Sequence, residues 1–389
     1  MESGRYQITS LNEAARKASY AHWDSLAKPL GSLGMLEDVV AQIAAITGDP
    51  DVRLDRRTLF VLCGDHGVIG NGVTQTGASV TAAVAKAIGE STSTISYLAA
   101  GQNIDVIPVD VGMLPHPDFP GVQNRNVRPG TADLSKEPAM TREECVQAIR
   151  TGIDLVREEK EKGTQIVLTG EMGIGNTTAT SAVGSVLLVK EPEEMTGRGS
   201  GLSSDGLAKK VACIRQGIAC NKPNPDDAID VLSKVGGLEL AGLCGLCLGG
   251  AIYRMPILLD GVITLAAALC AVRIQEKPEL VKEVLLGCTS ADREALKRST
   301  STGDALKEGA DANMLAVRDV LLASHMSAEP STRYLMEALG LSAPINAGLR
   351  LGEGSGAVAA LLLLDMALRE YQSAHTFDVL GIEAYTPQG

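Results

Sequence analysis

Two carboxylates in this chain stand among residues small enough for a ligand to approach closely. Glu171 lies in Thr164-Gln-Ile-Val-Leu-Thr-Gly-Glu-Met-Gly-Ile-Gly-Asn-Thr-Thr178, where a short apolar run ends in glycines and hydroxyls and carries no Walker lysine. Gly170, Gly173 and Gly175 permit a tight turn that points backbone N–H groups at an anion. Asn176, Thr177 and Thr178 add donors ahead of a helix expected from Ala179 onward. A negative side chain beside an anion site is costly unless it faces a developing cation or a proton to be removed. The second carboxylate, Glu353, sits in Arg350-Leu-Gly-Glu-Gly-Ser-Gly-Ala357 between two glycines. Taken singly, each segment also fits an ordinary glycine turn before a helix, because short glycine motifs recur widely.

Other segments add polar groups. Gly197-Arg-Gly-Ser-Gly201, followed by Asp205 and Lys210, reads as an anion loop, yet it departs from Gly-x-Gly-x-x-Gly and so gives little support to a dinucleotide fold. Ser324-His-Met-Ser-Ala-Glu-Pro330 brings hydroxyls, an imidazole and an acid, without the Gly-x-Ser-x-Gly elbow of a serine nucleophile. Cys244-Gly-Leu-Cys247 has redox or metal spacing, but its Leu- and Gly-rich surroundings and the lack of a second ligand pair favour buried helical thiols.

These residues need a scaffold, and 389 residues suffice for a large α/β domain with an accessory unit. Apolar runs at 58–63, 105–111, 165–169 and 256–259 alternate with helical stretches, which predicts a parallel sheet covered by helices with a Rossmann-like large domain. Ligand crevices of such sheets open at the carboxyl ends of the strands. The turns at Cys63-Gly-Asp-His-Gly67, Asp110-Val-Gly112, Gly170 to Thr178 and Asp260-Gly261 all fall there. The large domain is expected over 40–350, with a charged helical surface insertion at about 275–322. Residues 1–39 and 351–389 are expected to form a small helical domain from both chain ends.

The net charge of −12, from 35 Lys plus Arg against 47 Asp plus Glu, argues against a nucleic-acid or anionic-membrane partner. Residues 1–9 are polar and the apolar run 359–364 is too short to span a bilayer, so a cytoplasmic protein with a small-molecule partner is expected.

Lys28-Pro-Leu-Gly-Ser-Leu-Gly34, Cys63-Gly-Asp-His-Gly-Val68, Gly130-Thr-Ala-Asp133 with Pro138-Ala-Met-Thr141, Gly170 to Thr178, Asn221-Lys-Pro-Asn-Pro225, Asp230 to Gly237, Leu259-Asp-Gly261, Ser324 to Pro330 and Arg350 to Ala357 occur in this order. Together they resemble the nicotinate-nucleotide:dimethylbenzimidazole phosphoribosyltransferase family, whose members prepare the lower ligand of cobamides. The resemblance implies that the phosphoribosyl group of nicotinate mononucleotide moves to a ring nitrogen of an aromatic base, giving an α-riboside and free nicotinate. Because nicotinate leaves from a pyridinium, the ribose C1 develops oxocarbenium character that suits carboxylates. It further implies that Glu353 is the general base and that Glu171 lies close to the reacting ribose or acceptor. The main chain around Gly173, Gly175 and Gly199, with Asn176, Thr177, Thr178, Lys210 and Ser327, would hold the nucleotide. No metal or other cofactor is implied, since nicotinate departs as a stable neutral ring.

On the acceptor side, implied to include Thr76, Val84, Leu349 and Leu351, this chain departs from the family pattern. It has Gln75-Thr-Gly-Ala-Ser-Val-Thr-Ala-Ala-Val84 where relatives commonly carry a Tyr-Pro or Ser-Pro pair and then Met or Gln, and Leu349 where Met is frequent. The departures imply an acceptor range beyond dimethylbenzimidazole, with phenol and cresol included, and either a homodimer or a heterodimer with a paralogue. Two other readings stand beside this one: a weakly active or structural subunit of a heteromeric phosphoribosyltransferase, and a nicotinamide-dependent oxidoreductase. The oxidoreductase lacks its acidic ribose-binding residue after a Gly-x-Gly-x-x-Gly turn.

Overall fold

The computed structural model describes residues 6–115, 118–199, 201–285 and 312–386. Its strands are β1 (Tyr6–Thr9), β2 (Arg57–Gly64), β3 (Ile104–Gly112), β4 (Gln123–Asn124), β5 (Ile166–Met172), β6 (Ile257–Leu259), β7 (Ala312–Leu315) and β8 (Leu321–Ala323). Six of them form one sheet in the order β4-β3-β2-β5-β6-β8, and every neighbouring pair is parallel. The predicted runs at 58–63, 105–111, 165–169 and 256–259 all overlap strands of this sheet. Strand order reverses between β2 and β5, which puts a ligand crevice at their carboxyl ends.

The near-continuous apolar runs reflect burial on both faces. Along β2, Leu59, Val61 and Cys63 join one core while Phe60 and Leu62 join the other. The first core lies under helices Glu13–Ser25, Met35–Thr47, Ser79–Gly89 and Ser355–Ser373, and the second under Arg142–Lys162, Leu238–Tyr253 and Val262–Gln275. The architecture is therefore a parallel sheet between two helical layers.

Glycines set the second layer. A side-chain carbon at Gly152 would lie 2.0 Å from the Gly242 carbonyl oxygen, and one at Gly245 would lie 1.9 Å from that of Ile149. Helices Arg142–Lys162 and Leu238–Tyr253 thus touch backbone to backbone. Cys244 and Cys247 are buried inside this contact, and burial pushes both thiols up, away from redox or metal chemistry.

The domain boundaries differ from the sequence expectation. The chain-end helices share their core with β2, β5, β6 and β8 and with the Ser79–Gly89 helix, so they form one layer over the sheet rather than a separately cored unit. A boundary at 39/40 would cut the Met35–Thr47 helix, and β1 pairs in parallel with β7. The expected surface insertion is also narrower. Leu280, Val281, Val284, Met314, Leu315, Val317 and Val320 are buried, and β8 is a strand of the main sheet. Charged residues such as Glu279 and Glu283 had masked this apolar periodicity; residues 286–311 of the expected insertion lie outside those described. Among the described residues, no helix is long and apolar enough to cross a membrane.

Candidate active site

A cavity of about 300 Å³ opens at the carboxyl edge of the sheet. Its walls come from the segments that follow β2, β5, β6 and β8, closed by residues within 198–210 and by the 350–353 segment. Glu171, Gly173, Gly175, Asn176, Thr177, Gly199, Lys210, Ser327, Glu353, Thr76, Val84 and Leu351, all expected in the site, line this one space. Two expected residues do not. Thr178 is fully buried in its helix, and Leu349 serves through its carbonyl, which accepts the Ala328 N–H at 3.2 Å.

The helix expected from Ala179 begins three residues earlier, at Asn176, with Gly175 at the N-cap and a φ of 100°. Asn176 and Thr177 are therefore first-turn residues. No side chain caps this helix, so its positive end faces the cavity. Gly173 allows the turn because a side chain there would lie 2.4 Å from the Gly64 carbonyl oxygen.

Lys210 is 1 % exposed, contrary to the solvated surface cation that a lone lysine suggests. Its ammonium donates to Thr177 Oγ1 at 2.8 Å and to the Gly197 carbonyl at 3.3 Å. Burial pushes it down to about 8, with Glu329 acting in the opposite direction. An ammonium held by neutral oxygens beside an uncapped helix end is well placed to gain from an anion.

Glu171 is the penultimate residue of β5 and is buried. Asn176 Nδ2 donates to its Oε2. Burial, followed by the charges of Asp260 and Glu239, pushes it up to about 8, against the Asn176 hydrogen bond. Glu239 is itself buried and holds His66, with Nε2 to Oε1 at 2.8 Å.

Glu353 has a φ of 59°, between Gly352 at 84° and Gly354 at 87°. Left-handed backbone at a residue with a side chain costs about 1–3 kcal/mol and persists only where its surroundings hold it. Three contacts hold it here. A side-chain carbon at Gly170 would lie 2.8 Å from the Glu353 carbonyl, and one at Gly354 would lie 2.5 Å from Leu59 Cδ1. Gly170 therefore serves to admit this turn rather than to bend toward an anion. The third contact is with Glu171, whose Oε1 would be 2.5 Å from a side-chain carbon at Gly352, so the Glu171 carboxylate packs against the backbone of the Glu353 turn and feels its charge. Burial and Asp260 raise Glu353 above the usual carboxylate range against the Ile95 N–H, and its Oε2 has no hydrogen-bond partner.

Several lining residues escaped the sequence reading. Asp260, His325, Arg198, Arg350 and Glu329 all face the cavity. The Asp260-Gly261 turn was visible at a strand end, and His325 and Arg198 stood in noted motifs, but spacing assigned them no role. Among the described residues there is no group of three or more His, Cys, Asp or Glu arranged to hold a metal ion.

A parallel α/β fold with an uncapped helix end, a buried lysine and two adjacent carboxylates at the strand switch defines a nucleotide-handling enzyme. Comparison with known proteins narrows this. A family model described as a phosphoribosyltransferase matches residues 8–299 and 309–382. The nicotinate-nucleotide–dimethylbenzimidazole phosphoribosyltransferase of Ruminiclostridium cellulolyticum is 40 % identical over 380 residues, covering 98 % of this chain and 97 % of its own. Its counterpart from Acetivibrio thermocellus is 39 % identical over 365 residues, covering 94 % and 93 %. The crystal structure of CobT from Thermus thermophilus superposes with a TM-score of 0.80 at 33 % identity, over 96 % of this chain and all of that one. The chain belongs to the nicotinate-nucleotide–dimethylbenzimidazole phosphoribosyltransferase family.

Proposed function

We infer that this protein moves the phosphoribosyl group of nicotinate mononucleotide onto an aromatic lower-ligand base in the cavity at the β2/β5 switch. Buried Lys210, beside the uncapped end of Asn176–Leu188, is the observation that carries the reading. A 5′-phosphate there receives the ammonium, the helix end and backbone N–H groups together. Ser327 and Gly199 complete that wall.

The reacting carbon then lies toward the carboxylates. As the C1–N bond breaks, nicotinate takes the bonding electrons and ribose becomes cationic. Glu171, held largely protonated near neutrality by burial and by neighbouring acids, gains charge when a cation stands beside it. Glu353, with one oxygen unpartnered and its proton affinity raised, takes the proton that the acceptor loses on attack.

Acceptor choice extends to phenols in this reading, because Thr76 and Leu351 are exposed and Val84 is half-buried in an open wall. A benzimidazole offers a neutral nitrogen lone pair, whereas a phenol, with a reference pKa of about 10, needs a base to release its oxygen nucleophile. The test uses purified protein with nicotinate mononucleotide and, separately, dimethylbenzimidazole, benzimidazole, phenol and cresol. Mass spectrometry and anomeric NMR should find α-riboside 5′-phosphate and free nicotinate. No product with any acceptor, alone or with co-purifying protein, would sink the reading; product from benzimidazoles only would remove the phenol part.

A further inference from the structure

Among the helices that begin at the cavity, two that flank the carboxylates are treated oppositely. Asn176–Leu188 has no side-chain cap. Ser355–Ser373 follows Gly354 and has none from its own segment, but Asp260 supplies one from the end of β6. Asp260 is 2 % exposed; its Oδ2 accepts the Gly354 N–H at 3.1 Å, and its Oδ1 accepts those of Gly356 at 2.7 Å and Ala357 at 3.3 Å. These donors begin one residue after Glu353. The backbone of Asp260 is fixed in turn, its N–H donating to Thr169 Oγ1 at 3.2 Å and its carbonyl accepting the Ser324 hydroxyl at 3.0 Å.

We propose that Asp260 is the positioning residue of the Glu353 turn, clamping the left-handed segment to the sheet and setting the charge against which Glu353 works. This rests on the reading of Glu353 as the acceptor base. The geometry supplies the clamp: three N–H bonds on the residues that follow a strained backbone fix the main chain from which the Glu353 side chain projects.

Charge supplies the second part. A carboxylate just ahead of a helix N-terminus is normally stabilised as the anion by the helix dipole, which makes it a weak base. Asp260 fills that terminus with its carboxyl, which burial raises while His325 and the three N–H groups favour the anion, and that anion offsets the dipole. The groups facing Glu353 are Asp260 from the residue after β6, Glu171 from β5, the Ile95 N–H and Arg350 on its own segment. His325 faces Asp260 from the segment after β8, and burial lowers its proton affinity, which limits its positive charge near neutrality. Among the carboxylates, Asp260 is the neighbour that raises Glu353, consistent with the clamp also acting through its charge.

The experiment compares pH–rate profiles of the wild type, Asp260→Asn and Glu353→Gln with nicotinate mononucleotide and benzimidazole. Asp260→Asn keeps shape but removes charge and one acceptor, so kcat should fall about tenfold or more while the nucleotide KM stays within about threefold. Removing the negative neighbour lowers the proton affinity of Glu353. The ascending limb of the profile should therefore move to lower pH, which a merely structural lesion would not do. Wild-type kcat, a uniform loss with the limb in place, or a loss confined to nucleotide KM would each overturn the proposal. Should Glu353→Gln keep full turnover, the base reading itself fails; an inactive Glu353→Gln beside an unshifted Asp260→Asn defeats only the Asp260 inference. If Asp260→Asn does not fold, Ser324→Ala loosens the same residue at its carbonyl and retains its charge. It should lower kcat about two- to fivefold with nucleotide KM unchanged and the limb unmoved. Wild-type kcat in that variant overturns the clamp.

Discussion

The two ends of the cavity are built differently. The end proposed for the nucleotide rests on β5, the first turn of Asn176–Leu188 and a lysine that is 1 % exposed. The end proposed for the acceptor is a loop and helix face around Thr74 to Val84, with Thr76 exposed and Leu351 at 51 % exposure. One end is locked by buried hydrogen bonds and close backbone contacts; the other is open and apolar. Under the proposed function, a constant donor paired with a variable acceptor would use that division, with a rigid end for the shared chemistry and side-chain changes at the open end for the partner.

The sharpest break should come where the two ends meet. Glu353→Gln keeps shape and hydrogen-bonding reach but cannot take a proton, and turnover should fall roughly 10²-fold or more with either acceptor class. Steady-state rates with benzimidazole and phenol check this, and phenol transfer should suffer at least as much, because its nucleophile must first lose a proton. Near-normal rates would remove Glu353 from the mechanism.

Next in size is the nucleotide end. Lys210→Ala removes a charge-assisted contact of about 1.5–3 kcal/mol, so affinity for nicotinate mononucleotide should drop about 10- to 100-fold while that for the dephosphorylated riboside barely changes. Calorimetric titration of both ligands decides it, and equal weakening would place the lysine's action elsewhere. Because burial lowers the ammonium to about 8, nucleotide affinity should also decline as pH rises through that value. The cation is lost there, and with it the pairing charge.

Much of this contrast was legible in the amino-acid order, and the reason is local. Gly173, Gly175, Asn176 and Thr177 act within one strand-to-helix turn, so their proximity is written in their spacing. Long-range partners were not. Asp260 reaches residues 354–357 across the sheet, and the burial of Lys210 depends on Gly197 and Thr177 coming to it from separate segments. A motif reveals a turn, whereas burial and charge coupling depend on which turns the sheet brings together. The same limit explains the terminal helices: their apolar faces were evident, but not that they cover β2 and β5.

The locked end should also carry an electrostatic cost that stability measurements can see. In the unfolded chain Glu171 loses its proton near pH 4.3, but in the folded protein burial and acidic neighbours hold it until about 8. This raised carboxyl reverses the common case. As pH rises from about 4.3 to about 8 the unfolded state binds fewer protons than the folded one at this site, so stability falls across that window. Glu171→Gln removes the effect and should raise the melting temperature relative to wild type by about 2 °C or more at pH 8, with a smaller gain at pH 5. An equal difference at both pH values would show that Glu171 ionises freely and that the acidic neighbours do not hold its proton.

The smallest effect belongs to the open end, and it tests whether the ends are separable at all. Val84 is half-buried and lines the cavity from the Ser79–Gly89 helix, whose Thr81 Oγ1 accepts the Ile174 N–H at 3.2 Å. Val84→Ala removes apolar contact worth about 0.8 kcal/mol per buried methylene, reduced here by partial exposure, so acceptor kcat/KM should fall about three- to tenfold. The nucleotide KM should not change, because no phosphate contact is touched. Larger acceptors should lose more than phenol, since they reach further along the helix face. If Val84→Ala instead shifts nucleotide KM as much as acceptor KM, the two ends are coupled. The candidate link is already present: Gln75 Nε2 donates to the Gly201 carbonyl and ties the acceptor loop to the segment that carries Arg198 and Leu202.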